Sequence, residues 1–209
     1  MYIQWCAKGI IGQSPNDADG ITDQEARAIV DDGHGIVCNW WRDVSSITQP
    51  QRRDKLNDVN LHRHVHDYSN FKRETPFISL AAGAVERDTF LQTNRIFPAE
   101  RTARAFATLN GTRPGYVFHL WVIVGIKPAV EVEQVAEEIR NLHTYRRWSP
   151  FQLEGEVTAK IGIPAVQIHR VDKWEATQSG GIRHAGPGWP HFNSHFEEPA
   201  VVSNIRDLF

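Results

Sequence analysis

EGEVTAKIGIPAVQIHRV, residues 154–171, sets two glutamates at the head of a β-branched run that a proline interrupts. Val, Ile and Thr favour strands, and Pro164 cannot continue one, so two short strands split near Pro164 are expected. Alternate residues of a strand point the same way, which places Glu154 and Glu156 on one face with Gly155 on the other. Two neighbouring carboxylates separate their pKa values, bind a cation or hold a sugar hydroxyl. They also suit chemistry that passes through an oxocarbenium-like sugar cation. The spacing alone does not choose. Glu131-Val132-Glu133 repeats it at an expected helix start, where acids favour the helix dipole, and a solvated strand face is the plain alternative.

Working outward, TPFISLAAG (75–83) reads as a buried strand entering a turn, with Ser79 its one polar side chain inside the apolar run. A buried serine ordinarily satisfies a backbone group, and no G-x-S-x-G elbow surrounds this one. YVFHLWVIVGI (116–126) is nearly continuously apolar and suits a central strand. GIVCNWW (35–41) is β-prone and is closed by Arg42. Such an arginine can clamp a diphosphate or stack on tryptophan. Helices are expected at Thr22–Gly33, where Thr22 and Glu25 form a capping box, and from Pro98 to Gly111. A third is expected over Glu131–His143, from the spacing of Val132, Val135, Ile139 and Leu142. Residues 44–60 read as loop or weak helix.

LHRHVHDY (61–68) alternates His62, His64 and His66. On a strand these imidazoles would share a face and could bind zinc. The polar flanks and the lack of a cysteine cluster favour instead one histidine touching an anionic ligand, so no metal is assigned. Phosphate-loop, dinucleotide and H-E-x-x-H motifs are absent from the sequence.

Bulk properties narrow the classes further. A chain of 209 residues with 41% hydrophobic content fits one compact domain. A net charge of -2 supplies no global basic field for nucleic acid, though a local groove would serve. Cys6 and Cys38 are expected as two reduced thiols. The start of the chain is a poor signal peptide, and no apolar run approaches the length of a membrane span, so a soluble, cytoplasmic protein without a membrane partner is expected. After Trp174 the sequence turns Gly-, Pro- and His-rich. The expected organisation is one domain over 1–174 and a C-terminal arm over 175–209 that packs on it or extends from it.

The order of these segments resembles the mono-ADP-ribosyltransferase superfamily, in the branch that uses an Arg, a Ser and a Glu-x-Glu. The likeness runs from about Gly35 to Trp174 and is most specific in TPFISLAAG, in ARAFATLNGTRPGYVFHLWVIVGI (103–126) and in EGEVTAKIGIPAVQIHRV. It implies an α+β fold, a split β-sandwich with short flanking helices and NAD, the substrate, held in a cleft. Residue by residue it implies Glu156 as the catalytic glutamate on the nicotinamide ribose and Ser79 as the serine that orients it. It implies Glu154 as the upstream acid facing the acceptor, and NAD contacts from Arg42, Ser79, Phe77 and His64. His34, Arg63 and His64 are alternatives to Arg42 for the first motif. Tyr145, Trp148 and Phe151 would form the acceptor loop. Where the family has Ser-Thr-Ser, this chain has Ser79-Leu80-Ala81, so the first position alone matches. The implied activity is cleavage of NAD at the nicotinamide–ribose bond and transfer of ADP-ribose to a macromolecule, a protein arginine by preference or a nucleic acid. Such an enzyme suits a toxin or effector and leaves room for a neutralising partner. An NAD glycohydrolase on the same fold, or a metal or binding protein centred on His62–His66, are the other readings.

Overall fold

The computed structural model describes residues 1–15, 18–42, 48–88, 93–139, 155–177 and 181–199, with the backbone alone for 84–88 and 93–97. In chain order the strands are β1 (Tyr2–Ile11), β2 (Ile36–Val37), β3 (Phe77–Ala81), β4 (Ala84–Asp88), β5 (Thr93–Phe97), β6 (Gly115–Val124), β7 (Glu156–Lys160), β8 (Gly162–Ile163), β9 (Ile168–Ala176), β10 (Ile182–His184) and β11 (His191–Phe192). The helices are α1 (Asp23–Asp31), α2 (Asn39–Arg42), α3 (Gln49–Lys55), α4 (Asp58–His66), α5 (Tyr68–Phe71) and α6 (Ala99–Ala107).

The main sheet is antiparallel, in the order β10-β9-β6-β1-β3-β7, with β11 also on β9; β2 pairs β8, and β4 pairs β5. YVFHLWVIVGI does supply a central strand. β6 pairs with β1 along its whole length, from Tyr2↔Val124 to Ile11↔Gly115. Its even residues Tyr116, Phe118, Leu120, Val122 and Val124 enter the main core with Ile78, Leu80, Val157, Ala159, Ile168 and Val171. On the other face Val117, Ala7 and Ala81 receive Ala103 and Ala107 of α6. Gly9 lets that helix come so close, because a Cβ there would overlap the carbonyl oxygen of Ala103. A third cluster, Leu56, Leu61, Val65, Phe77, Ile139 and Ile161, packs α4 against β3.

The expected helix caps are present. Thr22 accepts from Glu25 N while Glu25 reaches back to Thr22, and Gly33 follows α1 at φ +72°. The weakly helical stretch 44–60 contains α3, with its own capping box between Thr48 and Gln51. Cys6 and Cys38 are free and buried, and burial pushes the Cys38 thiol up to about 11.

Two expectations are corrected. GIVCNWW is a strand only at Ile36–Val37, and from Asn39 it becomes the short helix α2. Glu131–Ile139, the described part of the expected third helix, is turns and bridges rather than helix. Glu137 N donates to Thr158 O at 2.9 Å and Glu137 O accepts from Thr158 N at 2.8 Å, so tertiary pairing overrides helical spacing. Lys160, fully buried at the end of β7, fixes this segment. Its Nζ donates to Glu137 Oε1 (2.8 Å), Ala129 O (2.6 Å) and Val132 O (3.0 Å). After Trp174, which lies inside β9, the Gly-, Pro- and His-rich segment packs back on that strand as β10 and β11. Arg27 of α1 stacks on Trp189 and donates to Gly188 O, and His191 meets Asp31 at 2.8 Å, which ties the segment down.

Candidate active site

β3 and β7 run antiparallel with Ser79 opposite Thr158 and Ala81 opposite Glu156. Phe77, Ser79 and Ala81 share the face turned away from the main core, while Ile78 and Leu80 face into it. β1 meets β3 at Ala7↔Ala81, and Lys8 is the next residue. α4, anchored below by Leu61 and Val65, carries His64 to the same place. α6 closes the other side. A cleft of about 350 Å³ results, with Lys8, His64, Ser79 and Glu156 among its polar lining and Tyr68 and Phe106 among its rings. Tyr68 and Phe106 are largely exposed, so both the floor and the rim of the cleft can reach a bound molecule.

The polar groups form one network. His64 Nε2 lies 2.9 Å from Ser79 Oγ and 3.8 Å from Glu156 Oε1, and its Nδ1 lies 2.8 Å from Thr75 Oγ1. Thr158 Oγ1 donates to Glu156 Oε1 at 3.3 Å. Burial, reinforced by the nearby Lys8 ammonium, drives His64 down to about 3, so the imidazole is neutral at physiological pH. Burial lowers Lys8 to about 8. Glu156 opposes that shift and Arg42 adds to it. The cleft therefore pairs a carboxylate with a cation that titrates close to neutrality.

Of the residues expected from sequence, Glu156, Ser79 and His64 come together. Phe77 is buried in the α4–β3 cluster with its ring 5.6 Å from that of His64, supporting the imidazole from beneath. Arg42 is placed differently from expectation. It ends helix α2 rather than a strand, it is exposed, and its guanidinium donates to Asn39 Oδ1. Its charge is felt at Lys8, but the cation lining the cleft is Lys8. The histidine triplet is also redistributed. α4 is a helix, so alternate residues do not share a face. His62 and His66, one turn apart, lie with ring centroids 4.5 Å apart, and His64 is buried in the polar network of the cleft. Among the described residues no group of three or more His, Cys, Asp or Glu is placed to hold a metal ion. Glu154, Tyr145, Trp148 and Phe151 lie outside the described residues. Gly155, between the two glutamates, has φ +62° and packs on the backbone of Gly83, so this step is not the extended one that a shared strand face requires.

Lys8 is the residue that sequence reasoning missed. WCAKGII places one cation among apolar and small residues, and that pattern reads as a strand with a charge turned inward.

No family model and no curated protein matches the sequence of this chain. Solved structures do match in shape. EcPltA aligns with a TM-score of 0.50 at 9% identity, over 94% of this chain and 89% of that one. A buried-residue variant of E. coli heat-labile enterotoxin gives 0.44 at 14% identity, over 91% and 76%. Full-length CARDS toxin gives 0.46 at 12% identity, and this chain spans 29% of its length. EcPltA is an ADP-ribosyltransferase toxin, and the chain shares its α+β fold. No helix among the described residues is long and apolar enough to cross a membrane.

Proposed function

We propose that this chain is a mono-ADP-ribosyltransferase that takes NAD as substrate in the cleft between β1, β3, β7 and α6. The observation that carries the reading is the convergence of Glu156, Ser79, His64 and Lys8 on one cleft, in a chain with the fold of ADP-ribosyltransferase toxins. A carboxylate aimed at the ribose holds its 2'-hydroxyl and stabilises positive charge at C1'. The bond from C1' to the nicotinamide nitrogen breaks, and its electron pair leaves with nicotinamide, which becomes neutral. The acceptor nucleophile then attacks C1' and gives up a proton. Glu156 is the group for the ribose, steadied by Thr158 and by the His64–Ser79 pair. Lys8 takes the role that sequence reading gave to Arg42 and meets the diphosphate as a point charge. Glu154, two residues before Glu156, is the acid for the acceptor, which favours a protein arginine. Tyr145, Trp148 and Phe151 are the acceptor-loop residues.

The test is release of nicotinamide from labelled NAD by the wild type and by Glu156→Gln, with and without cell lysate. Release by the wild type that Glu156→Gln abolishes is expected, with label passing to protein. Label on nucleic acid would change the acceptor class, and ADP-ribose left free in solution would make the enzyme a glycohydrolase. No release by the wild type would contradict NAD cleavage altogether.

A further inference from the structure

Thr75 stands outside the cleft and is almost wholly buried, just before β3. Its hydroxyl oxygen accepts from Phe77 N at 3.2 Å and lies 2.8 Å from His64 Nδ1. A buried hydroxyl needs an acceptor for its own proton, and among the described residues His64 Nδ1 is the one it meets. Nδ1 therefore accepts. A neutral imidazole has one proton, so it resides on Nε2 and is donated to Ser79 Oγ, 2.9 Å away. With its oxygen occupied as acceptor, Ser79 keeps its own hydroxyl proton to give, and it lines the cleft beside Glu156. The opposite tautomer would leave the Thr75 proton buried without an acceptor and would turn Ser79 into a donor to the histidine.

We infer that Thr75 is a positioning residue that fixes the His64 tautomer and thereby sets Ser79 as a hydrogen-bond donor into the cleft. Its place in catalysis rests on the NAD-cleaving reading of the site; the hydrogen-bond assignment does not. Thr75→Val keeps the shape and removes the hydroxyl. Thr75→Ser keeps the hydroxyl and serves as the rescue.

The experiment is long-range proton–nitrogen NMR on histidine-labelled protein, together with steady-state nicotinamide release. The wild type is expected to show His64 protonated on Nε2. Thr75→Val is expected to shift population towards Nδ1–H and to lower kcat about tenfold with KM for NAD little changed, the loss of one hydrogen bond to the site. Thr75→Ser should restore both. A wild type protonated on Nδ1, or a Thr75→Val protein whose tautomer is unchanged, would overturn the inference. The wild-type spectrum decides even if Thr75→Val fails to fold. An Nε2–H tautomer in a protein that releases no nicotinamide would sustain the assignment and count against the NAD reading alone.

Discussion

Strand β7 begins at Glu156 and ends at Lys160, and each residue has a partner of opposite charge in a very different setting. At the far end Lys160 and Glu137 are sealed from solvent. Lys160 Nζ donates to one carboxylate and two carbonyl oxygens, and the carboxylate also accepts from Ala129 N at 3.0 Å. At the near end Glu156 and Lys8 face a cleft of about 350 Å³. A charge whose donors are all taken by protein has nothing left to offer a ligand, and its effect is to fix the fold. A charge that lines a cavity can be reached by a ligand, and Lys8 there carries a lowered pKa, an arrangement common among catalytic groups. On the proposed reading the two pairs, four residues apart on one strand, divide stability from chemistry.

That division is broken most easily at the sealed end. Glu137→Gln leaves the Lys160 ammonium buried without its counter-charge and is expected to cost about 3–5 kcal/mol, which lowers Tm by about 10 °C in a chain of this size. Calorimetry checks it, and a shift under about 2 °C would show the pair to be dispensable. At the open end, Lys8→Met is expected to raise KM for NAD about a hundredfold while leaving Tm unchanged or higher, because a desolvated cation is removed.

The same lysine gives a pH signature that sharpens the contrast. Its folded pKa of about 8 lies below the ordinary lysine value, so the cation is present below pH 8 and is lost above it. KM for NAD should then climb by up to about tenfold per pH unit beyond that point, and Lys8→Arg should abolish the climb. A wild-type KM flat to pH 10 would remove Lys8 from NAD binding.

The smallest effect is expected on the outer face of α4. His62 and His66 stack on each other at the surface side of the helix, and replacing both with alanine should change stability by less than about 0.5 kcal/mol. Nicotinamide release and retained zinc after dialysis should be the same as in the wild type. Zinc bound stoichiometrically by the wild type and lost in the double variant would revive the metal-protein reading.

Sequence reading was strong where one local rule decided the outcome. The capping box of Thr22 and Glu25, the apolar run of β6 and the small-residue exit of β3 each formed as expected. Glu156 and Ser79 were legible because they head and occupy strands that the sequence marks clearly. What was lost depended on distant partners. Glu131–Ile139 has helical spacing, but Glu137 is needed by Lys160 and by the backbone of Thr158. His62, His64 and His66 look equivalent as a string, and helical geometry separates them into a surface pair and one buried imidazole. Lys8 was missed because its local pattern marks at most an inward charge on a strand and not what that charge meets. Its meaning comes from Glu156, nearly 150 positions later in the chain. Thr75 is of the same kind, an ordinary pre-proline threonine until His64 is brought beside it.

The decisive measurement is the rate of nicotinamide release by Glu156→Gln set against Glu137→Gln, both assayed well below their unfolding temperatures. Glu156→Gln is expected to lose at least about a hundredfold in kcat with its fold intact, from loss of a charge aimed at the transition state. Glu137→Gln, though much less stable, should release nicotinamide at nearly the wild-type rate. Equal losses in both, or wild-type release by Glu156→Gln, would contradict the assignment of chemistry to the open end of β7.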